Sequence, residues 1–310
     1  EQRTKAEAAL QAAIQRVRLQ QAGEPVPDEL EAAVQAADEQ LFGGIRYALG
    51  LDQVIAINTG AAPTPVAVLE FFHAIGLPVA ELWGMSESCG AGAVNRPGNI
   101  KIGTVGQASP GCEIKLADDG ELLIRAPFVF PGYRNAPDKT AEALDEDGWL
   151  HTGDVATIDD DGFITLVDRK KELIINAAGK NMSPSNIEAE LKTASPLIGS
   201  AVCIGDGRSY NTALIVLDSD FAPVWAAQNG LEGASIEQLA GEEKVREVVA
   251  EAVEHANAKL SRVEQIKRFT IVEGEWLPGG DELTPTMKLR RKPIDEKYAD
   301  AIEAMYAEAQ

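Results

Sequence analysis

Apolar residues recur along this chain at two periods, and the switch between the periods marks its parts. Over residues 1–22, Leu10, Ile14 and Val17 share one helical face in an Ala-rich background. Gly and Pro at residues 23–27 break that helix, and Asp28 suits the N-cap of a second, short one. Residues 53–58 read as a buried strand ending at Thr59-Gly60. Pro63 then opens a helix to Phe72, and residues 77–83 read as another strand. Strand, loop, helix, strand is the pattern of a βαβ unit. Ligands of such sheets bind beyond the carboxyl ends of the strands. That rule singles out residues 60–63 and Trp83-Gly84-Met85-Ser86-Glu87.

From residue 101 to 167 the period falls to two. Short strands at 113–115, 121–124 and 163–167 alternate with Gly, Pro and Asp turns, which predicts a small antiparallel β-subdomain. After Asp168 the texture changes again. A strand at 173–176, a helix from Pro184, strands at 201–204 and 213–217, a long helix near 236–258 and a strand at 266–272 predict an α+β unit. Tyr298, Ile302 and Met305 mark the apolar face of a last helix. The predicted architecture is α/β plus α+β, with domains at 1–167 and 168–310.

Composition narrows the function classes. The 310 residues carry a net charge of −21, which argues against nucleic-acid binding. Basic residues gather at Arg169-Lys170-Lys171, at Lys180 and from Lys288 to Lys292. Screening confines fields to about 8–10 Å, so a basic site on an acidic chain is physically reasonable. The 3 cysteines, Cys89, Cys112 and Cys203, form no CxxC pair and no metal-ligand cluster with His73, His151 or His255. Reduced thiols and a cytoplasmic setting are expected. No apolar run approaches the ~18 residues that span a membrane, and no signal peptide is visible.

The densest chemistry lies between Asp147 and Glu188. Asp154, in Asp147-Gly148-Trp149-Leu150-His151-Thr152-Gly153-Asp154, offers two acceptor oxygens that suit neighbouring sugar hydroxyls. Arg169, Lys170 and Lys171 offer positive charge for phosphate, and Gly179 allows close backbone approach to a ligand. The bland readings are a turn-capping acid at Asp154, a surface salt bridge at Arg169 worth under ~1 kcal/mol, and a solvated basic cluster around Lys288. His151 is read as a packed strand residue, since a carboxylate nucleophile needs no base near neutral pH. Cys89 is read as a small packed residue.

Taken in order, these segments resemble the adenylate-forming acyl-CoA synthetase family, in particular its long-chain fatty acid branch. Thr59-Gly60-Ala61-Ala62-Pro63, Trp83-Gly84-Met85-Ser86-Glu87, Gly103-Thr104-Val105-Gly106, Gly179-Lys180-Asn181, Pro184-x-x-Ile187-Glu188 and Thr284-Pro285-Thr286-Met287-Lys288 carry the resemblance with the Asp154 run. The family usually has Tyr-Gly-x-Thr-Glu where Trp83 to Glu87 stand. It often has two glycines before the lysine matched by Lys180, whereas Ala178 takes the first place here. Many members have Gly where Met287 precedes Lys288, and the Thr-Pro-Thr-x-Lys form resembles the long-chain branch.

The resemblance implies the C-terminal portion of a large AMP-binding domain followed by a smaller mobile lid. It implies ATP, Mg²⁺ and CoA, with a fatty acid as the acyl substrate. Gly60, Ala61, Ala62 and Pro63 would face adenine, Trp83 would stack on it beside Gly84, and Ser86 would meet phosphate. Glu87 would hold Mg²⁺. Asp154 and Arg169 would take the ribose. Asp168 would be the hinge, Lys288 would serve adenylation, and Gly179 and Lys180 would serve thioester formation with CoA. The family's Gly/Ser/Thr-rich phosphate loop has no match, so the chain reads as the C-terminal half of a longer enzyme, with an N-terminal half in trans and peripheral membrane contact left open. Two other readings stay open: a non-catalytic remnant or partner subunit binding AMP or acyl-adenylate, and a ligase for another carboxylic acid.

Overall fold

The structure is a computed structural model and describes residues 2–307. Glu1 and residues 308–310 lie outside the described residues. The chain divides into two units, Glu1–Lys170 and Lys171–Gln310, with the division just after Asp168.

Two helices, α1 (Gln2–Gln21) and α2 (Asp28–Ala37), open the first unit, followed by a π-turn at Asp38–Phe42 and α3 (Gly43–Ala48). Then come β1 (Ile57–Thr59), α4 (Val66–Ala74), β2 (Val79–Trp83), β3 (Ala93–Val94) and β4 (Gln107–Ala108). The βαβ expectation holds, because β1 runs parallel to β2 with Ile57 opposite Val79. β3 and β4 complete the four-stranded sheet as antiparallel neighbours. Ala13, Val17, Val34, Phe42, Ala74 and Leu77 form a core between the helices and this sheet.

Two boundaries differ from the expectation. The run at 53–58 is not a buried strand: Ile55 is 86% exposed and pairing starts only at Ile57. Among the described residues β1 pairs with β2 alone, so the apolar run before it meets no second strand there. The helix begins at Val66 rather than Pro63, with Pro65 as its N-cap. Thr64 precedes Pro65, and the residue before a proline is pushed out of the helical region.

The second sheet is an antiparallel meander of β5 (Glu113–Leu116), β6 (Glu121–Arg125), β7 (Leu150–Ile158) and β8 (Ile164–Arg169), with α5 (Pro137–Ala143) between β6 and β7. Leu122, Ile124, Leu150 and Ile164 fill one face, joined by Trp83 and Ala93 from the first sheet and by Val105 just before β4. The two sheets are also stitched by backbone. The Val105 N–H donates to the Ile164 carbonyl at 2.8 Å, and the Ile164 N–H donates to the Gly106 carbonyl at 2.9 Å.

The second unit holds β9 (Ile174–Ile175), β10 (Asn181–Met182), α6 (Pro184–Ala194), β11 (Ile198–Ile204), β12 (Asn211–Leu217), α7 (Phe221–Gln228), α8 (Ile236–Ala240), α9 (Glu243–Lys259), β13 (Ile266–Ile271), α10 (Arg291–Lys297) and α11 (Ala299–Ala307). β12 is central, antiparallel to β11 and parallel to β13. Side chains alternate across a strand, and β12 uses both faces. Ala213, Ile215 and Leu217 meet the core lined by α6 and α9, whereas Leu214 and Val216 meet Trp276, Ile294, Ile302 and Met305. The long helix expected at 236–258 is two helices, because Gly241 caps α8 and α9 starts at Glu243. Tyr298 ends α10, and Ile302 and Met305 are the buried face of α11.

Gly106 sits at φ 86°, and a Cβ there would fall 2.1–2.2 Å from the backbone of Val94 and Asn95. Gly23 has φ 69° with nothing within 4 Å. Gly106→Ala is therefore expected to cost about 3 kcal/mol or more through overpacking and strain, against about 1 kcal/mol for Gly23→Ala. Urea denaturation of both variants checks the order.

Candidate active site

The carboxyl end of β2 meets a bulge in β7. The register of β6 on β7 slips by two residues between the pairs Glu121–Val155 and Leu123–His151, a bulge that leaves the alternation of faces along β7 intact. Gly153 occupies it at φ 71°. The Gly153 N–H donates to Glu121 Oε1 at 2.8 Å, and its carbonyl accepts from the Lys170 N–H at 2.8 Å. Thr152 Oγ1 donates to the Leu122 carbonyl at 2.6 Å and accepts from the Asp154 N–H at 3.1 Å.

Asp154 lies on the inward face of β7 with Leu150, Thr152 and Ala156, and is 7% exposed. Its Oδ1 lies 2.9 Å from Nε of Arg169, its cross-strand partner on β8. Its Oδ2 accepts the indole N–H of Trp83 at 2.7 Å. Asp168 sits opposite Val155 and accepts the Arg169 N–H at 2.7 Å. His151 is on the strand as expected but half-exposed rather than packed, 3.4 Å from Glu121 Oε2, and Lys170 Nζ lies 3.3 Å from the same oxygen. Burial raises the Glu121 carboxyl, but the Gly153 N–H, His151 and Lys170 outweigh it and hold the group below its ordinary value.

Beyond β2, the chain doubles back through a tight turn at Ser86–Ser88. Gly84 is required there, since a Cβ would fall 2.2 Å from the Gly90 carbonyl oxygen. Ser88 Oγ accepts the Met85 N–H at 3.2 Å and donates to the Met85 carbonyl at 3.1 Å. Ser86 is exposed. Glu87 is half-buried, its Oε1 accepts the Tyr133 hydroxyl at 2.7 Å, and its carbonyl accepts the Phe130 N–H at 2.7 Å. Cys89 is exposed rather than packed, because it takes the turn's left-handed position at φ 54°.

The loop after β1 is exposed at Gly60, Ala61, Ala62 and Pro63. A Cβ on Gly60 would sit 2.9 Å from Leu82 Cδ1, and Ala61 holds φ 69°. The loop is tied at its end, where the Thr64 N–H donates to Glu81 Oε1 at 2.9 Å. Glu81 is buried, which pushes its carboxyl above the ordinary value; the Thr64 N–H offsets this in part.

In the second unit, Gly179 and Lys180 form the exposed tip of the β9–β10 hairpin. Asn176 Oδ1 accepts the N–H groups of Ala178 and Lys180, each at 3.0 Å, and Gly179 takes φ 74°. Lys288 ends a separate turn. The Thr284 N–H donates to the Lys288 carbonyl at 2.8 Å, and Thr284 Oγ1 accepts the Lys288 N–H at 2.9 Å. Met287 is forced to φ 61°, a conformation that explains why glycine suits this place. The Lys288 ammonium is exposed. Arg291, expected among solvated cations, instead forms a two-pronged ion pair with buried Glu188, at 2.6 and 3.0 Å. Burial lowers the Arg291 pKa, and the bonds to Glu188 and Glu172 more than reverse this.

The sequence assigns Trp83 to adenine and Asp154 and Arg169 to ribose; the structure brings the three into one contact group, with Gly84, Ser86 and Glu87 just beyond. The sequence reading missed Glu121, Glu81 and Tyr133, which hold neighbouring segments in place. A carboxylate in an otherwise apolar strand, Glu81 in β2 or Glu121 at the start of β6, was the available signal. Among the described residues no three His, Cys, Asp or Glu side chains gather to hold a metal. A lone Glu87 carboxylate still fits Mg²⁺, which typically takes one or two carboxylates together with substrate phosphates. No helix among the described residues is long and apolar enough to cross a membrane.

A βαβ sheet, an antiparallel subdomain bearing a buried Asp met by an Arg, and an α+β unit with a lysine turn together define an adenylate-forming fold. The family model for AMP-binding enzymes matches residues 4–134, and that for the AMP-binding enzyme C-terminal domain matches residues 171–310. The chain belongs to the AMP-binding enzyme family. It is 53% identical over 286 residues to a provisionally named fatty-acid–CoA ligase, FadD11, of Mycobacterium tuberculosis, covering 92% of this chain and 50% of that protein. It is 40% identical to the long-chain-fatty-acid–CoA ligase FadD15 of the same organism, covering 87% of this chain and 44% of that protein. The chain thus spans about half the length of these relatives. The adenylation domain of a carboxylic acid reductase from Segniliparus rugosus, in complex with AMP, shares the fold with TM-score 0.67 at 20% identity, over 99% of this chain and 46% of that one. O-succinylbenzoate CoA synthetase from Bacillus subtilis, in complex with ATP and magnesium, aligns with TM-score 0.59 at 25% identity, over 79% and 48%.

Two expectations follow. Because its carboxyl is raised, Glu81 opposes folding once ionised. Glu81→Gln should stabilise the protein at pH 7 and lose that gain below the ordinary carboxyl value of 4.5, where the wild-type group is protonated in both states. Thermal unfolding across pH checks this. Met287→Gly should raise stability by about 0.5–1 kcal/mol, since relief of left-handed strain exceeds the entropy that glycine adds to the unfolded chain; urea denaturation reads it.

Proposed function

We propose that this chain is the C-terminal half of an AMP-forming long-chain fatty acid–CoA ligase. Asp154 carries the reading. A carboxylate enclosed at a strand bulge, met by Arg169 and Trp83 at the end of a parallel βαβ unit, suits the paired hydroxyls of a ribose. The names and 40–53% identities of the relatives support fatty acids as the acyl class.

In this reading the fatty acid carboxylate attacks the α-phosphate of ATP, giving acyl-adenylate and pyrophosphate, and the CoA thiol then displaces AMP. Gly60, Ala61, Ala62 and Pro63 line the adenine side, where small residues leave room for a ring. Trp83 and Gly84 belong to the same nucleotide wall, and Asp154 and Arg169 hold the ribose. The Ser86 hydroxyl meets phosphate. Glu87, held by Tyr133, takes Mg²⁺, which when bound neutralises charge on the triphosphate. Lys288, exposed on its pinned turn, stabilises charge developing at the α-phosphate. Asp168 is the hinge about which the second unit turns. The Gly179 backbone and Lys180 then receive the phosphopantetheine arm of CoA. The phosphate loop comes from outside these 310 residues, in the same polypeptide or in trans. The enzyme works in the cytoplasm with peripheral contact to membranes that hold its acyl substrate.

The test is ATP–pyrophosphate exchange with palmitate, on the chain alone and with the phosphate-loop half added. Exchange is expected only with both halves. Lys288→Ala should then reduce exchange roughly 10²–10³-fold, from ~3–4 kcal/mol of lost stabilisation, and spare thioester formation from preformed acyl-adenylate. Equal loss of both half-reactions would remove Lys288 from this role. Absence of exchange with two folded halves would overturn the ligase reading.

A further inference from the structure

We propose that Trp83 is a positioning residue for ribose recognition, acting through Asp154 rather than by stacking on the base. The inference rests on the ribose reading of Asp154 and adds a determinant that the reading itself does not supply.

Three observations carry it. First, the indole is enclosed. Trp83 is 7% exposed and belongs to the core with Ala93, Val105, Leu122 and Ile124. Gly92 makes room for the ring, since a Cβ there would fall 2.5 Å from Trp83 Cε3. A ring packed against its own core has little open face for a purine. Second, its one polar atom is spent on the site. The indole N–H is a donor with no acceptor capacity, and it donates to Asp154 Oδ2 at 2.7 Å in a buried setting. Third, the bond crosses between sheets. Trp83 ends β2 of the first sheet, and Asp154 lies on β7 of the second.

These facts divide the work of holding the carboxylate. Arg169 meets Oδ1 from the same sheet, but its side chain is 51% exposed, so solvent and salt weaken that pair. The Trp83 bond is buried and has an ionised acceptor, the stronger class of hydrogen bond. With one oxygen drawn toward β8 and the other toward β2, the carboxylate plane is set in space. Two vicinal hydroxyls sit on a fixed geometry, so their joint recognition depends on that plane. Trp83 therefore sets selectivity for ribose over sugars lacking the pair of hydroxyls, and leaves affinity for base and phosphate largely alone.

The test compares AMP with 2′,3′-dideoxy-AMP by calorimetry, on the chain with its phosphate-loop half present. The variants are Trp83→Phe and a benzothienylalanine replacement at position 83, which keeps the ring size and exchanges only N–H for sulfur. The expected result is that both replacements cut the AMP preference by roughly fivefold or more, with dideoxy-AMP affinity unchanged. The benzothienyl form keeps the test open if Trp83→Phe fails to fold. Equal weakening of both nucleotides would mean base stacking and would overturn the inference while leaving the ribose reading intact. An unchanged preference in a folded variant would overturn it as a purely structural residue. A wild-type protein that binds both nucleotides equally, or neither, would overturn the ribose reading and this inference together.

Discussion

The seam between the two sheets of the first unit is the constraint on which its site depends. Neither sheet alone supplies the group: Trp83 belongs to one, Asp154 and Arg169 to the other. The backbone exchange of Val105 and Gly106 with Ile164 sets the distance between the sheets, and a shared apolar core fills the gap. Gly106 permits an approach that any side chain would block. Within that frame the unbroken alternation of β7 turns Asp154 inward with Leu150, Thr152 and Ala156. The register slip beside it spans two residues, so it opens the ladder around Gly153 without changing the face presented. Glu121 secures the bulge by accepting the Gly153 N–H. The Gly-Asp pair in the sequence is thus one half of a device whose other half is a carboxylate on the neighbouring strand.

The second unit uses a buried ion pair for a related purpose. Glu188 on α6 accepts both guanidinium prongs of Arg291 and also the Cys203 N–H, joining α6, β11 and the start of α10. Removing one partner from such a pair typically costs about 3–5 kcal/mol, since the other charge stays buried. Arg291 follows shortly after Lys288, so the pair holds the chain just beyond the lysine turn. Within the stretch from Lys288 to Lys292 the charges therefore have different jobs. Arg291 is structural, Lys292 reaches Glu296 along an exposed helix face, and Lys288 projects from a turn pinned by Thr284.

Much of this was legible in the sequence because periodicity reports burial. The alternation in β7 and β8, the βαβ succession and the apolar face of α11 were readable from which positions are apolar. Boundaries failed where a local rule overrode the pattern. Thr64 before Pro65 delayed α4, and Gly241 split α8 from α9. The strand at 53–58 failed because burial needs a partner, and among the described residues β1 has a strand on one side only. At the site, residue identities were readable by type, whereas their supports were not. Nothing in the sequence tells that Glu121 would find Gly153 thirty-odd positions away, or that Tyr133 would find Glu87, because such pairs exist only once register and turns are set.

The charge balance bears on the same question. In a chain with net charge −21, many cations have a carboxylate within reach. Lys101 meets Asp159, Arg125 meets Glu113, Arg208 meets Glu303 and Lys259 meets Glu190. Lys180 and Lys288 are among the described cations that no ion pair engages. Both stand on turns whose nearby acceptors, Asn176 Oδ1 and Thr284 Oγ1, are side-chain groups committed to backbone N–H donors. The backbone is held while the long side chain keeps its freedom. An ammonium presented in this way meets an incoming anion without first giving up a carboxylate. Screening limits the surrounding acidic field to about 8–10 Å. An acidic protein with anionic ligands is then no contradiction, since what matters is the local arrangement of a few charges and not their sum.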